Sequence, residues 1–161
     1  MAFDSKLQRQ IMGHFATGVT VAGTVVDGET WGMTANAVTS LSLDPPLILL
    51  AVGRESQSQA KFQDSGCFAL SILGEDQEDI SNRFAFAGPK DFSGLETITA
   101  ETGSPILKSC LGWLDCKVAE IIRGGDHDMF LGEIVAGECL DGKPLLYFGG
   151  GYRRIADAND A

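Results

Sequence analysis

The sequence predicts a mainly β fold, a closed antiparallel β-barrel with a few short inserted helices. About seven short runs rich in β-branched and aromatic residues recur along the chain, separated by Gly, Asp and Pro turn signals. The helical segments fall between only some of these runs, whereas a parallel βαβ sheet needs a helix after nearly every strand. A length of 161 residues indicates one domain, residues 1–161, without room for a second.

The first elements are a short helix and a hairpin. Residues 4–15 place their apolar side chains on one helical stripe behind an Asp-Ser capping signal. The stripe consists of Leu7, Ile11, Met12 and Phe15. Two β-rich runs then flank Asp27-Gly28, a dipeptide that favours the tight turn of a β-hairpin. They predict the first two strands.

The middle of the chain alternates strands with two further helices. "LILLAVG" predicts a third strand that is buried on both faces. "SQSQAKFQDSG" predicts a short helix that ends at Gly66, and "CFALSIL" predicts the fourth strand. "EDQEDISNRFAFA" predicts a helix whose acidic residues lie favourably near its start.

The last third of the chain predicts three more strands. Residues 88–106 are rich in Gly, Pro, Ser and Thr and predict an ordered surface excursion. "LDCKVAEII", "DMFLGEIVAGECL" and "PLLYFGG" are the strands, with "RGGDHD" and "LDGK" as turns.

Charge and composition exclude several classes of partner. The net charge is −10 with only 12 Lys and Arg, which opposes nucleic acid and an anionic membrane surface. The amino-terminal segment lacks the apolar core of a signal peptide, and "PPLILLAVG" is too short to span a membrane. The four cysteines form no CxxC pair, which indicates reduced thiols and no metal site. We therefore expect a soluble cytoplasmic protein.

The stretch "GMTANAVTSLSLDPP", residues 32–46, combines small and hydroxyl-bearing side chains directly before the third strand. Gly32, Ala35 and Ala37 would let a flat ligand approach the backbone, while Thr34 and Asn36 offer polar groups. The alternative is a bend in which Ser and Thr side chains bond to nearby backbone.

A second candidate is "GRESQSQAK", residues 53–61, which brings hydroxyls and cations to the start of a helix. Ser56, Ser58 and Lys61, with Arg54 nearby, could bind a phosphate together with the free amides of the helix terminus. The alternative is ordinary capping of the helix by serine.

Three segments together resemble the flavin reductase-like family. They are "FATGVTVAG" at 15–23, "GMTANAVTSLSLDPPLILLAV" at 32–52, and "GDHDMFLGEI" at 125–134 with "PLLYFGGGY" at 144–152. The resemblance implies a Greek-key split barrel that binds FMN or FAD, forms a homodimer, and takes hydride from NADH. Alignment of the nicotinamide and flavin rings would carry the reaction, without a catalytic side chain.

The resemblance also implies which residues bind the two nucleotides. The expected flavin-binding residues are Met33, Thr34, Ala35, Asn36, Ala37, Ser40, Leu41, Ser42, Ser56, Gln57, Ser58, Lys61 and Phe86. The expected NADH-binding residues are His127 of the Gly-Asp-His motif, with Phe148, Gly149 and Tyr152.

Two positions depart from the family pattern. The glycines at 149–151 lack the arginine that often stands among them in the family. We therefore expect fewer contacts with the dinucleotide at this position. Ser71 replaces a frequent asparagine, which weakens an expected contact with the flavin edge. His14, in the opening helix, is interpreted as structural.

Three functions are compatible with this resemblance. The first is NADH-dependent reduction of FMN or FAD for a partner monooxygenase; NADPH is less expected because no clear basic cluster awaits its 2′-phosphate, although Arg153 and Arg154 leave that open. The second is a tightly bound flavin that passes electrons to ferric iron or to corrinoid cobalt. The third is a flavin-binding module without turnover, which the presence of His127 disfavours.

Overall fold

A computed structural model describes residues 3–156, and its fold is mainly β. The helices are α1 (Ser5–Gly13), α2 (Gln57–Ser65) and α3 (Glu78–Ala85). The strands of the first half are β1 (Thr17–Gly18), β2 (Thr20–Val26), β3 (Glu29–Ala35), β4 (Val38–Leu43), β5 (Pro46–Gly53) and β6 (Cys67–Ile72). The strands of the second half are β7 (Thr97–Ile98), β8 (Ile106–Leu107), β9 (Gly112–Gly124), β10 (His127–Cys139), β11 (Leu146–Phe148) and β12 (Gly151–Arg153).

Seven strands form one antiparallel sheet in the order β3-β2-β6-β9-β10-β5-β4. The two edge strands, β3 and β4, are consecutive in the chain and are joined only by Asn36 and Ala37. The sheet must therefore curl until its two edges approach each other at this connection. A small sheet of β1, β11 and β12, and a β7-β8 pair, lie outside it.

Several local predictions are confirmed by the backbone. Asp27 and Gly28 both have positive φ, 52° and 83°, as a two-residue hairpin turn between β2 and β3 requires. Ser56 caps the start of α2 through a hydrogen bond to the Ser58 amide, and Gly66 ends the helix in the left-handed conformation.

Other predictions need correction. The strand expected to run through residues 29–40 divides at Asn36-Ala37, because β3 and β4 pair with different neighbours. The third strand, β5, alternates between buried and half-buried side chains instead of being buried on both faces. The excursion at 88–106 contains β7 and the first residue of β8, and the short strands β1 and β12 were not predicted.

Helix α1 keeps Leu7, Ile11 and Met12 of the predicted stripe, whereas Phe15 lies beyond the end of the helix at Gly13, and none of the four is buried in this chain. Leu7, Ile11, Met12 and Phe15 are all exposed, Phe15 to 68%. A stripe of this kind normally packs against an apolar surface. Here it faces outward.

The core is built from two clusters of buried apolar side chains. One lies inside the curled sheet around Phe62, Phe68 and Phe130, and the other lies between the sheet and α3 around Phe84 and Phe92. The clusters hold α2 and α3 against the strands that reach the candidate site. All four cysteines are free thiols, and burial raises the pKa of Cys116 to about 12.

Candidate functional site

A cavity of about 480 Å³ lies between β3, the β3–β4 connection, the end of β5, the start of α2 and the segment after α3. The predicted residues that line it are Met33, Thr34, Ala35, Asn36, Ala37, Ser56, Gln57, Ser58, Phe86 and His127. Its other lining residues are Trp31, Ala51, Gly53, Phe84, Ala85, Ala87 and Lys90. The fold thus brings two distant candidate segments and the Gly-Asp-His histidine to one place.

The wall at residues 33–37 is held by hydrogen bonds that use its backbone and one of its hydroxyls. The Thr20 hydroxyl donates to the Ala35 carbonyl at 2.7 Å, and the Ala51 amide donates to the Ala37 carbonyl at 2.9 Å. The Thr34 hydroxyl donates to the Ser81 carbonyl of α3 at 2.6 Å, so it anchors a helix. The Thr34 side chain therefore supports this wall by fixing it to α3.

Small residues in this wall have two different roles. Asn36 and Ala37 are exposed to the cavity, whereas the Ala35 side chain is only 7% exposed and belongs to the core. Gly32 does not line the cavity, and a Cβ there would lie 2.5 Å from a ring carbon of Phe84. The expectation that Gly32 makes room for a ligand is wrong, because its open side is filled by α3.

The start of α2 forms the opposite wall. Ser58 is buried, and its hydroxyl accepts a hydrogen bond from the Trp31 indole Nε1 at 2.9 Å. Ser56 remains exposed, and its hydroxyl caps the helix by accepting from the Ser58 amide at 3.2 Å. The helix therefore directs its positive end, with Gln57, at the cavity. The capping interpretation of "SQS" is confirmed for Ser56, and phosphate binding by these serines, which border the cavity, stays a prediction.

The two lysines near the cavity are arranged differently from the prediction. The Lys61 ammonium lies 5.7 Å from the centre of the Trp31 ring and does not line the cavity. Lys90, which the sequence placed in a surface excursion, does line it. One local feature could have indicated that Lys90 lines the cavity. It follows the aromatic end of a helix by a few residues, in "FAFAGPK".

His127 is the first residue of β10 and pairs with Gly53 of β5. Its Nδ1 lies 2.8 Å from the Asp126 carboxylate, and its Nε2 lies above Gly53, where an added Cβ would be 3.9 Å away. The His127 side chain is about half exposed. Its hydrogen bond to Asp126 and its charge when protonated lower the pKa of that carboxyl. Asp126 therefore orients the ring at the mouth of the cavity.

The loop between β5 and α2 is tied to β10 by a buried carboxylate. The Asp128 carboxylate accepts a hydrogen bond from the side-chain amide of Gln59 at 2.8 Å, and one of its oxygens lies 3.4 Å from Nε of Arg54. The Arg54 amide also donates to the Asp126 carbonyl. Arg54 is thus held beside His127, in a neighbouring cavity of about 470 Å³.

Seven predicted site residues lie outside the main cavity, Lys61 among them. Three of them, Ser40, Leu41 and Ser42, lie on edge strand β4, where a bulge interrupts the pairing with β5. Phe148 and Gly149 lie at the end of β11 near α1, and the Gly149 amide donates to the Gly13 carbonyl. The Tyr152 hydroxyl bonds to the side chains of Ser81 and Asn82, so Tyr152 fastens β12 to α3.

Two further cavities meet the main one at Asn36. One of about 230 Å³ is lined by Thr34, Asn36 and Tyr152 among others. The other, of about 670 Å³, is mostly apolar and lies between the β3–β4 connection, Tyr147 and α1. The buried Thr17 hydroxyl in its wall has no hydrogen-bond partner within the described chain. Ser71, by contrast, is fully buried and accepts from the Leu107 amide.

The main cavity has the size and the mixed lining of a small-molecule site. Its volume is within the range of roughly 300–1,000 Å³ that is usual for small-molecule sites. Small residues and backbone border one end, and the positive end of α2 borders the other. Among residues 3–156, no cluster of three or more His, Cys, Asp or Glu is arranged to hold a metal ion. Nor is any helix of the described chain long and apolar enough to cross a membrane.

Comparison with known proteins agrees with this geometry. The family model described as flavin reductase like domain matches residues 12–156 of this chain. The reductase subunit HsaB of a flavin-dependent monooxygenase from Rhodococcus jostii is 35% identical over 96% of this chain and 80% of its own length. An NADH-dependent FAD reductase from Streptomyces globisporus is 35% identical over 94% of this chain and 86% of its own length.

Solved structures show the same likeness over nearly the whole chain. Flavin reductase PheA2 superposes with a TM-score of 0.89 at 38% identity, covering 96% of this chain and all of that one. The Streptomyces globisporus NADH:FAD oxidoreductase SgcE6, solved with NAD and FAD fragments, superposes with a TM-score of 0.90 at 33% identity, covering 99% of each chain. With matching sequence and fold over nearly its whole length, the chain belongs to the flavin reductase-like domain family.

Proposed function

We propose that this protein is an NADH-dependent flavin reductase that reduces FMN or FAD and supplies the reduced flavin to a partner monooxygenase. The observation that carries the proposal is the single cavity shared by residues 33–37, the start of α2 and His127. Relatives named as reductase components of two-component monooxygenases support the partner, and a relative named for NADH and FAD supports the two nucleotides.

The protein's own residues act by binding the two nucleotides and orienting them. The flavin, when bound, supplies the hydride-accepting chemistry. The wall at 33–37 would hold the ring against rigid backbone, and the α2 terminus would attract the phosphate. His127, oriented by Asp126, has Nε2 above Gly53, from where it would bind the amide or phosphates of NADH. Alignment of two bound rings lowers the barrier without a side chain that transfers protons.

The remaining nucleotide contacts are assigned by proximity to this cavity. Tyr152 borders the small cavity that meets the main one at Asn36 and Thr34. Phe148 and Gly149 lie close by on β11 and its turn. We assign these three residues to the nicotinamide side. Residues 40–42 would act on the flavin through edge strand β4.

Features of the fold support a closed barrel and a homodimer. Edge strands β3 and β4 converge at Asn36-Ala37, which supports a closed split barrel formed by a single domain over residues 1–161. The exposed stripe of α1 and the apolar 670 Å³ cavity beside it support a homodimer. The four free thiols support a cytoplasmic location.

The test of this function combines a spectrum with steady-state kinetics. Purified protein is examined for flavin absorbance, and NADH and NADPH oxidation are then followed with added FMN, FAD or riboflavin. We expect turnover that depends on added flavin and favours NADH. Flavin that stays bound and passes electrons only to ferric iron or a corrinoid would favour the electron-transfer alternative. Flavin binding without NADH oxidation would contradict the proposal.

Replacing His127 with alanine should affect the binding of NADH but not the binding of flavin. We expect the KM for NADH to rise several-fold, because one hydrogen bond of roughly 0.5–1.5 kcal/mol is lost, while flavin affinity and Tm stay near wild type. Lys117→Ala changes an exposed residue of β9 that lines neither the main nor the 670 Å³ cavity, and should leave this KM unchanged. An unmoved KM in His127→Ala, or a collapse of flavin binding, would remove His127 from the NADH site.

Replacing Ile11 with glutamate tests the homodimer. Ile11 is 54% exposed on the α1 stripe, and a charge there would have to be desolvated in any interface that covers the stripe. We expect sedimentation to show a dimer for wild type and a shift toward monomer for Ile11→Glu. Gln10→Glu adds the same charge to the same helix outside the stripe and should remain dimeric. A monomeric wild-type protein would refute the assembly.

A further inference from the structure

The main cavity has a single fixed positive charge in its lining. Lys90 is the one lysine or arginine among its lining residues, and His127 is the other residue there able to become cationic. The chain as a whole carries a net charge of −10. An anionic ligand in this cavity therefore depends on very few groups for electrostatic attraction.

The Lys90 ammonium is positioned by backbone oxygens that leave its charge unneutralised. It donates to the carbonyls of Phe84 and Phe86, each at 2.6 Å, and a lysine ammonium has a third donor. Within the described residues no carboxylate forms an ion pair with it, because the adjacent Asp91 lies 3.6 Å from Arg83 instead. Burial lowers the pKa of Lys90, as expected for a charge that lacks a counter-ion.

Lys90 lies at the same end of the cavity as the start of α2. Its carbonyl accepts from the Gly32 amide at 2.7 Å, next to Trp31, and the Trp31 indole bonds to Ser58. Trp31 is four residues from Ala35 along β3, or about 13 Å at strand spacing. The Lys90 backbone and the start of α2 thus both lie near the Trp31 position of β3, while Asn36-Ala37 line the same cavity beyond the other end of that strand.

We propose that Lys90, and not Lys61, supplies the positive charge that binds the phosphate of FMN or the diphosphate of FAD. The inference rests on the proposed function for the presence of flavin. The ammonium would act with the α2 amides across the cavity, while Lys61 stays stacked on Trp31. A purely structural Lys90 would only tie the end of α3 to the following loop.

The test compares flavins with and without phosphate, in the absence of NADH. Wild type, Lys90→Met, Lys90→Arg and Lys61→Met are titrated with riboflavin, FMN and FAD, following flavin fluorescence. We expect Lys90→Met to weaken FMN and FAD about tenfold and riboflavin less than about twofold. Lys90→Arg should keep most of the preference for FMN over riboflavin, and Lys61→Met should leave that preference unchanged.

Each other result contradicts the inference in a recognisable way. Equal weakening of all three flavins by Lys90→Met would show that Lys90 only supports the wall. Unchanged binding would place the phosphate elsewhere, and selective loss in Lys61→Met alone would assign it to Lys61. A wild-type protein that binds none of the three flavins would overturn the proposed function, and this inference with it.

Discussion

Replacing Ala37 with leucine will weaken flavin binding by at least about tenfold, or 1.4 kcal/mol, while the protein stays folded. Ala37 is exposed and borders both the 480 Å³ and the 670 Å³ cavities, so three added carbons would occupy space that a flat ring needs. Its backbone carbonyl, which accepts from the Ala51 amide, is kept by the substitution. Flavin titration measures the loss directly.

Ala37 is a more specific probe of the ligand site than Ala35, two residues before it. Leucine at the nearly buried Ala35 would overpack the core, and a loss of affinity would then report on the fold. Ala119→Leu makes the same change at an exposed position on β9 outside the cavities described above, and should leave affinity unaltered. Wild-type affinity in Ala37→Leu, with an unchanged Tm, would show that the ring does not lie against this connection.

Replacing Gly32 with alanine will destabilise the fold by about 1–3 kcal/mol. The new Cβ would lie 2.5 Å from one ring carbon of Phe84 and 2.9 Å from Phe92, both within the cluster beneath α3. The two rings must shift to make room for the new Cβ, because a close-packed interior contains little free volume. Urea unfolding followed by fluorescence would report a lower midpoint.

The matched control for Gly32 is Gly18→Ala. An added Cβ at Gly18 has no neighbour within 4 Å, so its effect on the urea midpoint should be small. Equal midpoints for Gly32→Ala and wild type would mean that α3 is not packed against β3 in solution. Loss of flavin affinity without loss of stability would restore Gly32 to the ligand site.

Prediction succeeded where neighbouring residues decide the structure. Asp27-Gly28 adopts the two positive φ angles of a hairpin turn, and Ser56 and Gly66 cap α2 at the expected ends, because turns and caps depend on adjacent backbone. The segment 33–37 was expected to contact flavin from its small and polar residues together with the family resemblance. It borders the main cavity, and its contact with flavin stays a prediction.

Prediction failed where a partner lies far away in the chain. Nothing near Gly32 shows that Phe84 will fill its open side, and nothing near Ser58 shows that its hydroxyl will accept from Trp31. For the same reason, nothing near either lysine shows that Lys90 will line the cavity while Lys61 lies over Trp31. A lysine three residues after Ser58 is the obvious phosphate ligand in sequence, but stacking on Trp31 takes it out of the cavity.

The sequence by itself determined the β-rich character, the hairpin, the helix caps and the family, since these depend on short motifs and local periodicity. Only the tertiary structure decided that β3 and β4 become opposite edges of one sheet joined by Asn36-Ala37. It alone brought His127 above Gly53 and Lys90 to the end of the cavity near α2. The physical reason is that side-chain position depends on long-range strand pairing and packing, which local sequence does not encode.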